Sequence, residues 1–209
     1  MNENDKGGPP SPGQPGSGSP PEGQPPQHQE LRHSQVSARV PEQVGLGVFC
    51  TGVIVIQSAH EFVLDFLQNL VQPHRIAARV VLPPSVVPLF VAALQENVQK
   101  FQHTFGALPR MPAPPPGAAP PVSDIYEQLK LPEDLISGVY ANAVMIVHSP
   151  GEFCFDFITN FYPRSAVACR VYLSVSHVPQ FLDSLVHAFE QFRRKMSQPP
   201  PPANPPAQN

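Results

Sequence analysis

The hexapeptide EFVLDF at residues 61–66 returns almost unchanged as EFCFDF at residues 152–157. Each copy carries a glutamate and an aspartate at the same two places, between aromatic and aliphatic residues. Alternating large apolar residues are typical of a β-strand with one buried face. The stretches SAHE and SPGE that begin just before also fit a helix capping box, so a helix is the alternative. We predict a strand in each copy, with these serine-led stretches as hairpin turns.

The repetition extends well beyond the hexapeptide. When the chain is compared with itself at an offset of 91 residues, 19 of 55 positions over residues 47–101 are identical, and no gap is needed. Self-similarity of this kind indicates a tandem duplication of one domain. Each copy is therefore expected to have the same order of elements.

Within each copy, the hydrophobic pattern predicts three strands and then a helix. The fold class is α+β: two tandem copies of a small antiparallel sheet, strand-strand-strand, each followed by one amphipathic helix. Ser85 and Ser176 are predicted as the N-caps of the helices. The first strands are predicted at residues 48–57 and 139–148, and the third strands at residues 76–82 and 167–173.

Proline marks the parts that lie between and outside the copies. Of the 30 prolines, nine lie in residues 1–41, seven in 109–121 and six in 199–206. Such stretches bury too little apolar surface to offset the entropy of ordering them. The predicted organisation is a disordered tail (1–43), a first repeat (44–105), a Pro-rich linker with a short helix at 123–131 (106–135), a second repeat (136–196) and a disordered tail (197–209).

Charge, cysteine content and hydropathy limit the class of protein. The net charge is −3, and neither repeat is basic, so a strong electrostatic attraction to nucleic acid is not expected. The three cysteines lack the spacing that is typical of metal ligands, and the first residues of the sequence are polar and do not resemble a signal peptide. These two features predict reduced thiols and a cytoplasmic location. No apolar run reaches the length of a membrane span.

The repeated carboxylates do not fit a catalytic or metal-binding pair. On a strand, Glu61 and Asp65 are roughly 13 Å apart, whereas glycosidase pairs need roughly 5–9.5 Å. If the second and third strands form a hairpin, Asp65 and Arg79 are equally far from its turn. The same holds for Asp156 and Arg170. We therefore predict two structural cross-strand pairs, Asp65–Arg79 and Asp156–Arg170.

The two copies resemble a known family. The residues concerned are Tyr140 and Asn142 on the first strand, the EFxxDF stretch, and Arg79-Val80-Val81-Leu82-Pro83-Pro84 before the helix. They are similar to the bacterial domain-of-unknown-function family 3467, although the second copy reads LSVSHV where the family has Ser-Pro. The resemblance implies a bacterial, cytoplasmic protein and transfers no activity. It also implies that the tandem form is a homodimeric arrangement fused into one chain.

These observations favour a non-catalytic protein-binding or assembly module built as a fused pseudo-dimer. No nucleophile, phosphate-binding or metal motif is present, so no enzyme activity and no cofactor are predicted. The expected partner is a protein, and the repeats pair with one another or form a homo-oligomer. The alternative is single-stranded nucleic-acid binding on the sheet face, which needs exposed aromatic residues. The candidate interaction surface is Phe49, Tyr140, Asn142 and Tyr172.

Overall fold

Both copies have the same order of secondary structure in the computed structural model, which describes residues 38–112, 121–161 and 163–197. The first copy contains α1 (Glu42–Gly45), β1 (Val48–Cys50), β2 (Gly52–Gln57), β3 (Phe62–Gln68), β4 (Arg75–Leu82) and α2 (Val87–Phe105). The second contains α3 (Val122–Gln128), a 3-10 turn (Glu133–Leu135), β5 (Val139–Tyr140), β6 (Ala143–His148), β7 (Glu152–Phe161), β8 (Arg164–Ser174), a second 3-10 turn (Val175–His177) and α4 (Val178–Ser197). The predicted α+β class with two tandem copies is confirmed. The Pro-rich tail and linker predictions for residues 1–37, 113–120 and 198–209 lie outside the described residues.

The phenylalanine-rich stretches are strands, as predicted. β3 pairs antiparallel with β2 and β4, and β7 pairs antiparallel with β6 and β8. The serine-led stretches form tight turns, in which the Ser58 hydroxyl accepts hydrogen bonds from the backbone N–H groups of His60 and Glu61. Phe62, Leu64 and Phe66 are fully buried. The apolar alternation therefore outweighs the capping-box signal.

The prediction of one continuous first strand in each copy is wrong. The chain bends at Thr51 and at the equivalent Asn142, and the pieces on either side of each bend join different sheets. The first sheet has the order β2-β3-β4-β5 and the second has the order β1-β8-β7-β6. Each copy thus gives its leading strand to the edge of the other copy's sheet, where it pairs in parallel with the final strand. Strands that bend in this way form the corners between packed sheets.

Polar side chains stabilise both bends. The Thr51 hydroxyl accepts a hydrogen bond from the backbone N–H of Asn69 at 3.0 Å. At the equivalent site, the Asn142 side chain accepts from the backbone N–H of Asn160 at 2.7 Å and donates to its carbonyl at 3.1 Å. A break in the strand therefore leaves few backbone groups unpaired.

The helices are exchanged as well. α2 of the first copy packs on β6, and α4 of the second copy packs on β2. Phe101 of α2 lies 5.6 Å from Phe153, and Phe192 of α4 lies 5.5 Å from Phe62, measured between ring centroids. The buried side chains of both copies form one continuous core. A unit of about sixty residues is marginally stable alone, and the shared core removes that limit.

The predicted helix N-caps are also wrong. The first helix begins at Val87 with Val86 as its N-cap, and no side chain caps it. Ser176 lies inside the 3-10 turn that leads into α4. In each helix the proline occupies the second position, where its missing N–H has no intrahelical partner to lose.

Two repeated glycines allow the exchanged segments to cross the other copy. Gly47 and Gly138 both have φ of 66°, in the left-handed region that favours glycine. A Cβ atom at Gly47 would lie 2.8 Å from Cγ of Arg170 and 2.6 Å from the ring of Tyr172. A Cβ atom at Gly138 would lie 2.8 Å from Cγ of Arg79. Any other residue at these places would be strained and would collide with the arginine beneath.

We expect Gly47→Ala and Gly138→Ala each to lower the free energy of unfolding by about 2–3 kcal/mol, because both strain and collision are introduced. Urea denaturation measures the change. Gly45→Ala is the matched control, since a Cβ atom there meets only Val40 at 4.0 Å. Equal stability of Gly47→Ala and Gly45→Ala would contradict the close crossing.

Candidate functional site

The repeated aspartates lie opposite the repeated arginines on neighbouring strands. Nε and Nη2 of Arg79 donate to the two carboxylate oxygens of Asp65 at 2.7 and 2.8 Å. The same two nitrogens of Arg170 donate to Asp156 at 2.6 and 2.7 Å. The side chain of Asp65 is fully buried and that of Asp156 is 6% exposed. The geometry is the bidentate arrangement in which a guanidinium binds a carboxylate most tightly.

The remaining guanidinium nitrogen of each arginine binds the other copy. Nη1 of Arg79 donates to the carbonyl of Ile136 at 3.0 Å, and Nη1 of Arg170 donates to the carbonyl of Gly45 at 3.2 Å. Gly45 and Ile136 are equivalent residues of the two leading segments. Each ion pair therefore holds the exchanged segment of the opposite copy in place.

The two pairs differ in their third contact. The Tyr126 hydroxyl of α3 donates a hydrogen bond to Asp65. Burial, and then the hydrogen bond to Asp65, raise the pKa of Tyr126 above its ordinary value. At Asp156, the corresponding neighbour is the Cys154 thiol, 3.9 Å away. α3 is thereby anchored to the first sheet, and the residues equivalent to α3, 31–37, lie outside the part of the chain that the structure describes.

The ion pairs hold both arginines in the charged form. The hydrogen bond to each aspartate raises the pKa of Arg79 and of Arg170, so both guanidinium groups stay charged. Both oxygens of each carboxylate accept a hydrogen bond from the arginine. Among residues 38–112, 121–161 and 163–197, no cluster of three or more His, Cys, Asp or Glu side chains could hold a metal ion.

The four residues of the predicted interaction surface are divided between two sheets. Phe49 and Tyr172 are neighbours on the outer face of the second sheet. Tyr140 lies on the first sheet, where its ring stacks on Phe161 at 5.8 Å and 7°. Asn142 lies at the second bend, and its amide is used there. The structure therefore brings Phe49 and Tyr172 together and places the other two elsewhere.

Phe49 and Tyr172 belong to an apolar row that crosses all four strands of the second sheet. The strand registers place Phe49 beside Tyr172, Tyr172 beside Cys154 and Cys154 beside Val147. Met145 follows Val147 on the same face two residues away. Phe49, Met145 and Val147 are 42%, 46% and 56% exposed. We call Phe49, Tyr172, Cys154, Val147 and Met145 the apolar row. The alternation in AVMIVH and EFCFDF places Met145, Val147 and Cys154 on one face, so these three could have been predicted from the sequence.

A basic groove adjoins one end of the apolar row. It is open, has a volume of about 520 Å³, and is lined by Phe49, Gln68, Leu70, Val71, Gln72, Pro73, Arg75 and Lys130. The Gln68 side chain accepts two hydrogen bonds from Arg75, at 2.9 and 2.6 Å, and donates to the carbonyl of Phe49 at 2.8 Å. Gln68 thus links Arg75 to the backbone of Phe49, whose side chain lines the same groove.

A repeated pattern in the sequence includes Lys130, although it lies before the predicted starts of the two repeats at residues 44 and 136. ARVPEQVGLG at residues 38–47 matches LKLPEDLISG at residues 129–138, with a basic residue and Pro-Glu at equivalent places. Lys130 pairs with Arg75, and the equivalent Arg39 pairs with Ala166, each as a single parallel bridge. In both copies, the chain therefore forms its first bridge to a strand before the predicted start of the repeat.

The cysteines are unbonded thiols in the part of the chain that the structure describes. Burial raises the pKa of Cys50 to about 12 and that of Cys169 to about 11. The pKa of Cys154 is also raised, first by burial and then by Asp156. Such thiols are poor nucleophiles. None of the described helices is long and apolar enough to cross a membrane.

The comparison with known families gives one match, found twice. The family described as "Protein of unknown function (DUF3467)" matches residues 8–110 and again residues 116–197. The two matches correspond to the two copies. No curated protein and no solved structure matches the chain.

We expect Asp65→Ala and Arg79→Met each to lower the free energy of unfolding by about 3 kcal/mol, because each leaves a charge in a desolvated site. The double variant should lose less free energy of unfolding than the two single variants together, since neither charge then remains in the site. A double-mutant cycle by urea denaturation measures the coupling. We expect Asp156→Ala to lower the free energy of unfolding less than Asp65→Ala does. Arg170 is the more exposed arginine, and Asp65 also loses the hydrogen bond from Tyr126.

The exposed pair Glu96–Lys100, whose charged atoms lie 2.6 Å apart, is the control for that cycle. Glu96→Ala should leave stability unchanged within error, because solvent screens this pair. If the losses at Asp65 and Arg79 simply add, the pair does not couple the two strands.

Proposed function

The chain belongs to the DUF3467 family of proteins of unknown function, and from that premise we propose that it is a non-catalytic protein-binding or assembly module built as a fused pseudo-dimer. The partner is a protein, and the binding surface is the apolar row on the outer face of the second sheet. No cofactor is required for this role. We also propose a cytoplasmic location, which the unbonded thiols favour.

The observation that carries the proposal is the exposure of the apolar row. Three large apolar side chains, Phe49, Met145 and Val147, are between 42% and 56% exposed on one face of one sheet. Asp156 and Arg170, which lie on the same face, neutralise one another, and the cations Arg75 and Lys130 lie beyond the Phe49 end of the row. A patch that contains aromatic residues and Met is typical of the central part of a protein–protein interface. A contiguous exposed apolar patch of this kind favours an interaction site.

The exchange of segments between copies supports the pseudo-dimer part of the proposal. Residues 38–50 and 129–140 cross to the opposite copy, as segments do between the subunits of an intertwined homodimer. Because the two subunits are fused in one chain, the shared core forms at any protein concentration. Fusion also permits the two outer faces to differ.

We expect a photo-crosslinking amino acid placed at Phe49 or Val147 to give a discrete adduct in cells that make the protein. The same residue at Met196, which is 62% exposed at the end of α4, should give none. Mass spectrometry identifies the crosslinked chain, and Met145→Lys should weaken the adduct because it places a charge beside the row. An equal yield of adducts from Met196 would show that the apolar row is not the binding surface.

The alternative function, single-stranded nucleic-acid binding, is favoured by one feature, the basic groove. Arg75 and Lys130 line it together with the exposed ring of Phe49. Stacking on an aromatic ring beside cations is the usual means of binding a single strand. The groove holds few cations, however, and each neutralised phosphate contributes only a limited part of the affinity.

We expect no salt-sensitive binding of a fluorescently labelled oligothymidine at micromolar protein, as measured by anisotropy. Binding that is weakened by salt and removed by Arg75→Glu with Lys130→Glu would make nucleic acid the ligand. Met145→Lys with Val147→Lys serves as the control, because it changes the apolar row and leaves the basic groove intact.

A further inference from the structure

β6 is the edge strand of the second sheet, and one side of its backbone faces away from the sheet. The N–H of Ser149 donates to the carbonyl of Glu152 across the hairpin turn. Because successive backbone groups of an antiparallel strand alternate in direction, Met145 and Val147 bond to β7. The N–H and C=O groups of Val144, Ile146 and His148 then point outward. Within the described residues, none of these outward groups has a backbone partner.

The edge strand lacks the charged residues and prolines that prevent edge strands from pairing. Residues 139–148, VYANAVMIVH, contain no charged residue and no proline. β6 is six residues long, whereas the edge strands β1 and β5 have three and two. Natural edge strands are protected by lysine, proline, bulges or shortness. An unprotected apolar edge is a site for pairing with another strand.

We propose that β6 pairs antiparallel with β6 of a second copy of this chain, about a two-fold axis at Ile146. This register places every outward backbone group of Val144, Ile146 and His148 opposite a partner in the other copy. It also places Met145 of one copy beside Val147 of the other on the outer face. This inference rests on the proposed function, and it identifies the protein partner as a second copy of the chain.

A second copy fits this edge for two reasons. A strand that pairs with itself about a two-fold axis is an isologous contact, which closes after two copies. The apolar row ends at β6, so the pairing joins the rows of both copies into one surface and gives Met145 and Val147 apolar neighbours across the two-fold axis. Apolar cross-strand neighbours on the same face contribute favourably to sheet pairing.

β2, the equivalent edge of the first sheet, is the less suitable partner. Its side chains, including Ile54 and Ile56, are half-buried throughout, and its last residue, Gln57, is bonded to Gln191 of α4. Pairing of β6 with β2 of the next copy would be a heterologous contact, which continues from chain to chain into a ring or a filament. The β6–β6 contact predicts a dimer that stops at two chains.

The test is sedimentation equilibrium of the full chain, from about 1 to about 100 µM, a range in which micromolar association changes the mean mass. The wild type should reach the mass of a dimer and no more. Met145→Lys with Val147→Lys should be monomeric, because lysines then face one another across the axis. Leu70→Lys with Val71→Lys is the control: these side chains are 75% and 77% exposed away from β6, and the added charge is the same.

A mixing experiment makes the test specific to this register. Met145→Glu with Val147→Glu should also be monomeric alone, because like charges again face one another. An equal mixture with the lysine variant should form a heterodimer, since the Met145→Lys change of one chain then lies opposite the Val147→Glu change of the other. Circular dichroism checks that each variant is folded, and Val147→Lys alone serves if the double change unfolds the chain.

Several results would overturn the proposal. They are a wild type that stays monomeric, a lysine variant that stays dimeric, a control that dissociates, or a mixture that stays monomeric. A monomeric wild type whose apolar row still crosslinks to another protein would remove the second copy as partner and leave the proposed function standing. Loss of the row-specific adducts would instead remove the proposed function.

Discussion

The structure depends on an arginine that serves two copies of the repeat at once. Two of its nitrogens bind the aspartate on the neighbouring strand, and the third binds the carbonyl of a segment from the opposite copy. The aspartate alone would set only the strand register. Because the third bond reaches across, the same side chain holds the exchanged strand, and the exchanged strand must cross close above it. The glycines at 47 and 138, with φ of 66°, are the consequence of that crossing.

The features that could be predicted from the sequence are those that depend on local pattern. The alternation of Phe62, Leu64 and Phe66 specifies a strand, and equal distances from the turn place Asp65 opposite Arg79. The exchange could not be predicted in this way. A continuous apolar run such as residues 48–57 carries no mark of which sheet each half will join, since both halves are equally suited to a buried strand. The bends at Thr51 and Asn142 depend on partners 18 residues away in each case, which a local pattern does not contain.

The site was harder to predict than the fold, for a related reason. Phe49 and Tyr172 are neighbours only because β1 crosses to the opposite sheet, so their contact follows from the exchange. Tyr140 is equivalent to Phe49, and it lies correspondingly on the other sheet. Equivalent residues near the centre of the core do meet, as Phe66 meets Phe157 and Phe90 meets Phe181. Equivalent residues of the leading strands lie on different sheets, so a surface built from those equivalent positions is split between the sheets.

Fusion of the two copies allows their outer faces to differ while the core stays symmetric. The buried contacts repeat: Phe101 meets Phe153 as Phe192 meets Phe62. Among residues 38–112, 121–161 and 163–197 the outer contacts differ, because the Tyr126 hydroxyl bonds to Asp65 while the Cys154 thiol lies beside Asp156. A homodimer must present each surface twice, and a change that suits one face is imposed on the other. In the fused chain the first sheet can anchor α3 while Phe49, Met145 and Val147 are exposed on the second sheet. The symmetric interior is therefore compatible with two outer faces that differ.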